Sequence, residues 1–420
     1  MNIITSRLLA FLFLVLLLPA VRAEEREVAR TLTLDQLVAT ALAENPQLQA
    51  MRAKWEAMQE RPAQQTAPPN PMLTYSGMDM TERGWWPNTN EKRFMIEQSF
   101  PWFGKLKLKG KVAGKEAEAM QREYETMARE VVMMVKETYA DLYGVQQARF
   151  FVRGEAAVLS NMLNTAETMY ATGGRSQQDV LKAQTEVTML RQKLLTYDEQ
   201  DVTLQAKLNQ LLNRPINSAT GLAVTAPADI STGELNQLLA LAAGNRAEIK
   251  KADADLQRGQ YERDLMRKEF WPDYKLGLEY RNFRQGDDMV MFTVGVELPL
   301  WRSKYRAGER EAEKMIAASR ATRVAAEQQT AFDVRDAHFK LQTARRTLEL
   351  YRKELIPQAE LRFKASDADY RTGKGDFMDL LESERFLLDA RVMTAMAEAT
   401  VGMQLARLER AVGINLEEKK

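Results

Sequence analysis

The side chains of this chain best able to do chemistry are its thioethers, its one imidazole and its carboxylates, so their spacing decides what is open to it. Twenty-two methionines suit soft ions such as copper or silver. Met133-Met134 and Met289…Met291 are close pairs, but the rest are scattered and form no tight three- or four-ligand cluster. Methionine is also ordinary filler for helix cores. His338 is the only histidine and cysteine is absent, so a zinc site would need carboxylates alone to complete it. No nucleophile has a convincing orienting base for a triad, and no phosphate-cradling glycine loop is present. The sequence reads as that of a protein that is no enzyme, with no metal ligands and no cofactor assigned.

What recurs instead is a pair of loops. Tyr170-x-x-Gly173, followed by Asp179-Val180-Leu181, returns 200 residues later as Tyr370-x-x-Gly373, followed by Asp379-Leu380-Leu381. Leu34 to Leu48 resembles Leu235 to Ile249, with Asn45 set against Asn245, and Phe100-Pro101-Trp102 resembles Leu298-Pro299 with Trp301. A tandem duplication asks what needs two copies of a long unit; here the units are 24–221 and 222–413, with a tail at 414–420. Gly173-Gly174 and Gly373 can take the left-handed conformation that ends a helix and reverses the chain. Ser176 and Asp376 can cap the helices that follow. A plain helical-hairpin turn is enough to explain each loop locally. The alternative is a pair of tips at the far end of coiled coils, with Asp179 and Asp379 near the axis of an assembly.

The elements that must position these loops are long. From Gly104 to Tyr170 there is no proline, and some 65 helical residues would reach roughly 100 Å. The return arm, about Gln178 to Leu212, carries apolar or small residues at the three-and-four spacing of a coiled-coil seam. The first helical hairpin is therefore placed at 104–213. The second spans 302–411, with Pro357 marking a kink or break and smaller residues on its return arm, which imply closer helix approach. Before each hairpin stand two strand candidates, about 72–80 and 92–101, then 273–283 and 289–299. Tyr274, Leu276, Leu278 and Tyr280 alternate with Lys275, Gly277, Glu279 and Arg281; Val290, Phe292, Val294 and Val296 alternate with Met291, Thr293, Gly295 and Glu297. In the first half Leu73 and Tyr75 stand against Thr74 and Ser76, and Phe94 and Ile96 against Arg93 and Met95. Such period-2 segments have the length of a membrane-spanning β-strand. Two hairpins on a soluble domain would show the same pattern.

The N-terminus reads as an export signal at 1–23: Arg7, an apolar run Leu8 to Leu18, and Val21-Arg22-Ala23 as a cleavage site. About eleven apolar residues are too few for a spanning helix. Without residues 1–23 the chain has 57 basic against 58 acidic residues, a balance of −1, so nucleic acid is not an expected partner. No later stretch is long and apolar enough for a transmembrane helix, so membrane crossing would require a closed β-barrel. Four strands cannot close one, and several identical chains would have to combine.

Together these features resemble the TolC-like family of outer membrane efflux channels, across essentially the whole chain after residue 23. The likeness is carried by Leu34-x-x-Leu37…Ala41-Leu42…Asn45-Pro46, Phe100-Pro101-Trp102-Phe103-Gly104, Leu298-Pro299-Leu300-Trp301 and both Tyr-x-x-Gly…Asp loops. The resemblance implies a mixed α/β outer membrane factor fold. In it each protomer of a homotrimer donates four strands to a twelve-stranded barrel and long helices to a periplasmic coiled-coil tunnel. It implies an outer-membrane location with a large periplasmic portion, a periplasmic adaptor, an inner-membrane pump that is proton-driven, and passive conduction. Tyr170, Gly173, Asp179, Tyr370, Gly373 and Asp379 match the tip and gate positions; Gly174, Arg175, Ser176, Lys374 and Gly375 would face the adaptor. Some members carry a basic gate residue where this chain has Gly375, so a basic latch would come from Lys374, Arg371 or Arg175. Lys275, Glu279, Arg281 and Glu297 would line the barrel lumen, where no hydrophobic ring is expected. The Pro-Trp-Phe-Gly run, the methionines and the tight loops look most like the heavy-metal branch, although the chain lacks the cysteine of its lipoprotein members. A periplasmic coiled-coil binding protein without a channel is the alternative.

Overall fold

The computed structural model describes residues 33–78, 90–173, 176–221, 223, 232–372 and 374–416. The expected signal segment at 1–23, Gly174, Arg175 and Gly373 of the loops, residues 79–80 of the first strand and 417–420 of the tail lie outside the described residues. In the first half, helices α1 (Leu34–Glu44), α2 (Pro46–Gln59) and α3 (Arg61–Thr66) lead into strands β1 (Met72–Met78) and β2 (Glu91–Phe100). Helix α4 (Lys105–Ala171) and its returning partner α5 (Gln177–Leu211) follow. The second half runs α6 (Leu235–Asn245), α7 (Ala247–Lys268), β3 (Asp273–Phe283), β4 (Met289–Glu297), α8 (Arg302–Leu350), α9 (Ile356–Arg371) and α10 (Phe377–Val412).

Helix α4 is 67 residues long without interruption, which at 1.5 Å per residue is roughly 100 Å. Its counterpart is α8 and α9, joined by a five-residue π-type turn, Tyr351–Leu355. Pro357 has no N–H to donate and its ring crowds the preceding turn. The wider π turn directly upstream absorbs that crowding, so the α-helical pattern is interrupted beside Pro357, where a kink or break was expected. The return arm α10 packs closely through small residues. A Cβ added to Gly144 of α4 would stand 2.8 Å from Ala399 Cβ and 3.3 Å from Met396 Sδ. Among the described residues four apolar clusters are buried: α1, α2, α4 and α5 share one, α6, α8 and α10 a second, α4, α5 and α10 a third toward the loops, and α9 and α10 a fourth.

Each half also contains a sharp joint between two short helices, and here the matching of Asn45 with Asn245 is corrected. Asn45 caps α2: its Oδ1 accepts from Gln47 N (3.0 Å) and Leu48 N (3.2 Å), while its Nδ2 donates to Leu211 O at the end of α5. Pro46 fits the first helical position because its missing N–H would have no helical partner there. In the second half the equivalent backbone position is Arg246. Its guanidinium donates to Arg410 O and Ala411 O at the end of α10 and to Asp333 Oδ2, each at 2.9 Å. Asn245 donates only back to Leu241 O. The repeat offset is therefore 201 here, and a longer cationic side chain ties down the helix end that Asn45 reaches with an amide.

The four strands form one antiparallel sheet in the order β1-β2-β3-β4. Its centre is the pairing of β2 with β3, from Glu91 opposite Phe283 to Phe100 opposite Tyr274, so the two halves are stitched together by backbone hydrogen bonds. β4 ends at Glu297, two residues before the expected limit, because Pro299 cannot donate to a ladder. β1 and β4 are left as edges.

Candidate functional site

The register sorts the sheet into two unlike faces. On one, Leu73 and Tyr75 of β1 stand opposite Ile96 and Phe94 of β2, then Leu278 and Tyr280 of β3, then Phe292 and Val290 of β4. Most of these side chains are exposed: Leu73 is 75% and Val290 70% accessible. The other face carries Lys275, Glu279, Arg281 and Glu297, so the four expected lumen residues share one surface. The register adds Glu91, which sequence reading missed, and Arg93, which it set on the polar side of its strand without assigning it to the lumen. Arg93 Nε donates to Glu91 Oε1 at 2.6 Å and lies 3.9 Å from Glu279, while Arg281 pairs with Glu279 and lies 3.8 Å from Glu91. Alternating charges across β2 and β3 thus neutralise one another on this face. Only the cross-half register places Glu91 beside Arg281, and no local sequence signal contains it.

At the base of the sheet a buried cation joins the halves. Lys105, 3% accessible, donates to Asp273 Oδ1 at 2.8 Å, Glu269 Oε2 at 3.2 Å and Trp271 O at 3.3 Å. Trp102 N donates to the same Asp273 oxygen at 2.7 Å, and the Trp102 ring stacks on Trp271 and Tyr274 at 4.9 and 5.6 Å. Burial works against the ammonium charge, but the bonds and charges of Asp273 and Glu269 outweigh it and hold Lys105 above its ordinary range. The signal in the sequence was the lysine directly after the Pro-Trp-Phe-Gly run.

At the opposite end of the hairpins the loops differ between halves. Gly173 has φ +76° and its N–H donates to Tyr170 O, the left-handed turn expected of it. Ser176 Oγ accepts from Asp179 N, so Asp179 stands in the first turn of α5, where a carboxylate also favours the helix dipole. Asp179 is buried but Asp379 is exposed. Tyr170 is exposed, whereas Tyr370 packs beside Phe377 with ring centres 5.8 Å apart. Gly375 has a steric reason. A Cβ there would lie 3.0 Å from Asp369 Cβ and 3.1 Å from the Asp369 carbonyl carbon and from Tyr370 N. A basic side chain at that position would require Asp369 and Tyr370 to give way by a few tenths of an ångström. Arg371 pairs with Asp367 at 3.0 Å and Lys374 is exposed.

Just behind the loops, α4, α5 and α10 enclose a cavity of about 30 Å³ lined by Glu155, Glu186, Lys193, Glu384 and Arg385 among apolar neighbours. Burial, then the charge and hydrogen bond of Glu384, push the Glu155 carboxyl up to about 8. Glu384 is also raised by burial, although the bond from Glu155 acts the other way. Two carboxyls this close in a partly buried site favour one proton shared between them. This pair is two residues that sequence reading left among solvated acids.

Among the described residues no group of three or more His, Cys, Asp or Glu could hold a metal ion. Nor is any described helix long and apolar enough to cross a membrane. His338 is buried in α8, with burial and the charge of Arg345 lowering its pKa.

A family model described as outer membrane efflux protein matches residues 37–214 and 238–414. The cobalt-zinc-cadmium resistance protein CzcC of Cupriavidus metallidurans is 22% identical over 374 residues, covering 87% of this chain and 86% of that protein. Solved structures share the fold. The outer-membrane channel OprN superposes with a TM-score of 0.77 at 16% identity, covering 91% of this chain and 90% of that one. CusC gives 0.77 at 17% identity over 91% and 92%. VceC of Vibrio cholerae gives 0.76 at 18% identity over 91% and 96%.

Proposed function

We infer the assembly and cargo of this chain from a premise now in hand: it belongs to the outer membrane efflux protein family. It is an outer-membrane channel for efflux with a large periplasmic portion, of the kind that works with a periplasmic adaptor and an inner-membrane pump. Conduction through it is passive, and the energy comes from the pump. The proposal is that three copies close a twelve-stranded barrel in the outer membrane above a coiled-coil tunnel, after removal of residues 1–23. The repeats are 24–221 and 222–413, and the pump is proton-driven.

The observation that carries this reading is the sheet. It has one apolar, exposed face, one charged face and two open edges. Open edges on a hydrophobic sheet invite pairing, and a barrel in lipid puts the apolar face outward and the charged face toward water. A soluble coiled-coil protein would leave Leu73, Phe292 and Val294 in water. The lumen would then be lined by Lys275, Glu279, Arg281 and Glu297, together with Glu91 and Arg93. At the other end Tyr170, Gly173, Asp179, Tyr370, Gly373 and Asp379 would form the closed entrance. Gly174, Arg175, Ser176, Lys374 and Gly375 would meet the adaptor. Metal ions are the proposed cargo, supported by the likeness to CzcC, whose name records cobalt, zinc and cadmium resistance.

Detergent extraction of outer membranes followed by electrophoresis tests the assembly. A heat-resistant trimer that conducts in planar bilayers is expected; a monomer in the soluble periplasmic fraction would refute it.

A further inference from the structure

The described strands contain five methionines, Met72, Met78, Met95, Met289 and Met291, and the register puts all five on the charged face. None is on the apolar face. Partition would favour the opposite arrangement, since a thioether is an apolar side chain that gains by facing lipid. The apolar face uses Leu, Ile, Val, Phe and Tyr instead. Met72, Met78 and Met289 are about half exposed, so they fill no core. Met95 and Met291 occupy the same row as Glu279, one on either side of it. A face otherwise made of charges and small residues, Phe283 at its end apart, thus carries a set of soft donors that packing does not explain.

We propose that this face is a thioether relay for a soft monovalent cation, Cu(I) or Ag(I). The proposal rests on reading the charged face as the lumen and deepens the metal-cargo reading by naming the class of ion. Thioethers select Cu(I) and its soft analogues, whereas cobalt, zinc and cadmium are better served by imidazole, thiolate or carboxylate. Spacing sets the strength. Adjacent strands are about 4.8 Å apart, so Met95 and Met291 are roughly 10 Å apart at Cα, and Met289 lies roughly 7 Å from Met291 along β4. At these separations three thioethers could meet around one ion only with every side chain fully extended, which disfavours a tight three-sulfur site. An ion is instead held by one or two sulfurs, with Glu279 or solvent completing its shell, and passes to the next on a flexible side chain. Conduction requires binding of that kind, strong enough to admit an ion and weak enough to release it.

The test is potassium current through the purified full-length channel in planar bilayers, with silver nitrate added in chloride-free buffer. Wild type is expected to show flicker block by silver and none by zinc. Replacing all five methionines by Leu, which nearly conserves volume, is expected to raise the silver concentration for half block roughly tenfold or more. Met95→Leu with Met291→Leu alone should give part of that shift. Unchanged potassium conductance without silver, and an intact oligomer, certify the fold of each variant. Equal silver block in wild type and the five-Leu variant, or zinc block as strong as silver block, would overturn the relay. Growth of cells whose own channel is replaced by this one separates the readings. Protection against cobalt, zinc or cadmium without the methionine-dependent silver block sinks the relay and leaves metal cargo standing. A methionine-dependent block without protection against any metal sinks the cargo reading and leaves the relay.

Discussion

The Glu155–Glu384 pair makes the contact between α4 and α10 sensitive to pH. A carboxyl whose proton is held more tightly in the packed state than in the separated one favours packing below its ordinary range. That contribution is complete below about pH 4.5, falls as pH rises and is lost above about pH 8. At about 1.4 kcal/mol per tenfold change in acidity, the rise corresponds to at most on the order of 5 kcal/mol. Glu155 is half-buried and Arg391 partly offsets the repulsion, so roughly 2 kcal/mol is a more realistic share. That is about a thirtyfold change in the opening of the contact. Glu186 and Lys193 of α5, Arg385 and Arg391 of α10 and Asp367 of α9 are the other charges around it. The chain contains no cysteine, so Val158→Cys and Glu382→Cys, both at exposed positions, can carry spin labels on α4 and α10 without competition. The label distance should be narrowly distributed at pH 6 and broaden by pH 9.5. Glu155→Gln keeps a donor for Glu384 and removes the titration of Glu155 and its like-charge repulsion, so its distribution should stay narrow at both values. Equal widths for wild type at the two pH values, or broadening in the Gln variant as well, would show that the pair does not control this contact.

Other perturbations probe the rest of the molecule. Gly375→Ala must displace backbone at Asp369 and Tyr370 and should cost about 1–3 kcal/mol, read as a lower thermal midpoint and a leakier resting channel. Asp179→Ala together with Asp379→Ala is expected to raise single-channel conductance, and unchanged conductance would count against a gate at the loops. Lys105→Met removes the cation shared by Asp273 and Glu269. Both acids keep some solvent, so the cost should be roughly 1–3 kcal/mol, below that of a fully buried broken pair, measured as earlier thermal dissociation of the oligomer.

Much of this was legible in the sequence because it was written as period and repetition. Tyr274 to Tyr280 alternate so regularly that β3 shows its two faces without a structure, and the proline-free run after Gly104 leaves little but a long helix. The first-half strands read less clearly, since Met72 and Met78 hide the alternation of β1. What could not be read was contact between distant segments. Glu155 and Glu384 are 229 positions apart, and each alone looks like one more acid on a solvated helix. Arg246 was hidden by its neighbour Asn245, which invited the match with Asn45; only the reach of the guanidinium to the end of α10 reveals which residue does the tying.

The departures from symmetry fall mainly in the second half. α4 is one unbroken helix, while α8 passes through a π turn before α9. Asp179 is buried beside its capping serine, while Asp379 is exposed and Asp376 makes no capping bond. A widened turn and an uncapped helix start are places where a hairpin yields at low cost. Energy released at the Glu155–Glu384 contact would therefore be expressed in α9 and α10 more than in α4 and α5. With wild-type carboxyls, hydrogen exchange at pH 9.5, corrected for its intrinsic rate, should accelerate in Phe377–Ala390 more than in Gln177–Leu190. Equal acceleration in the two segments would show that the duplication left both hairpins equally stiff.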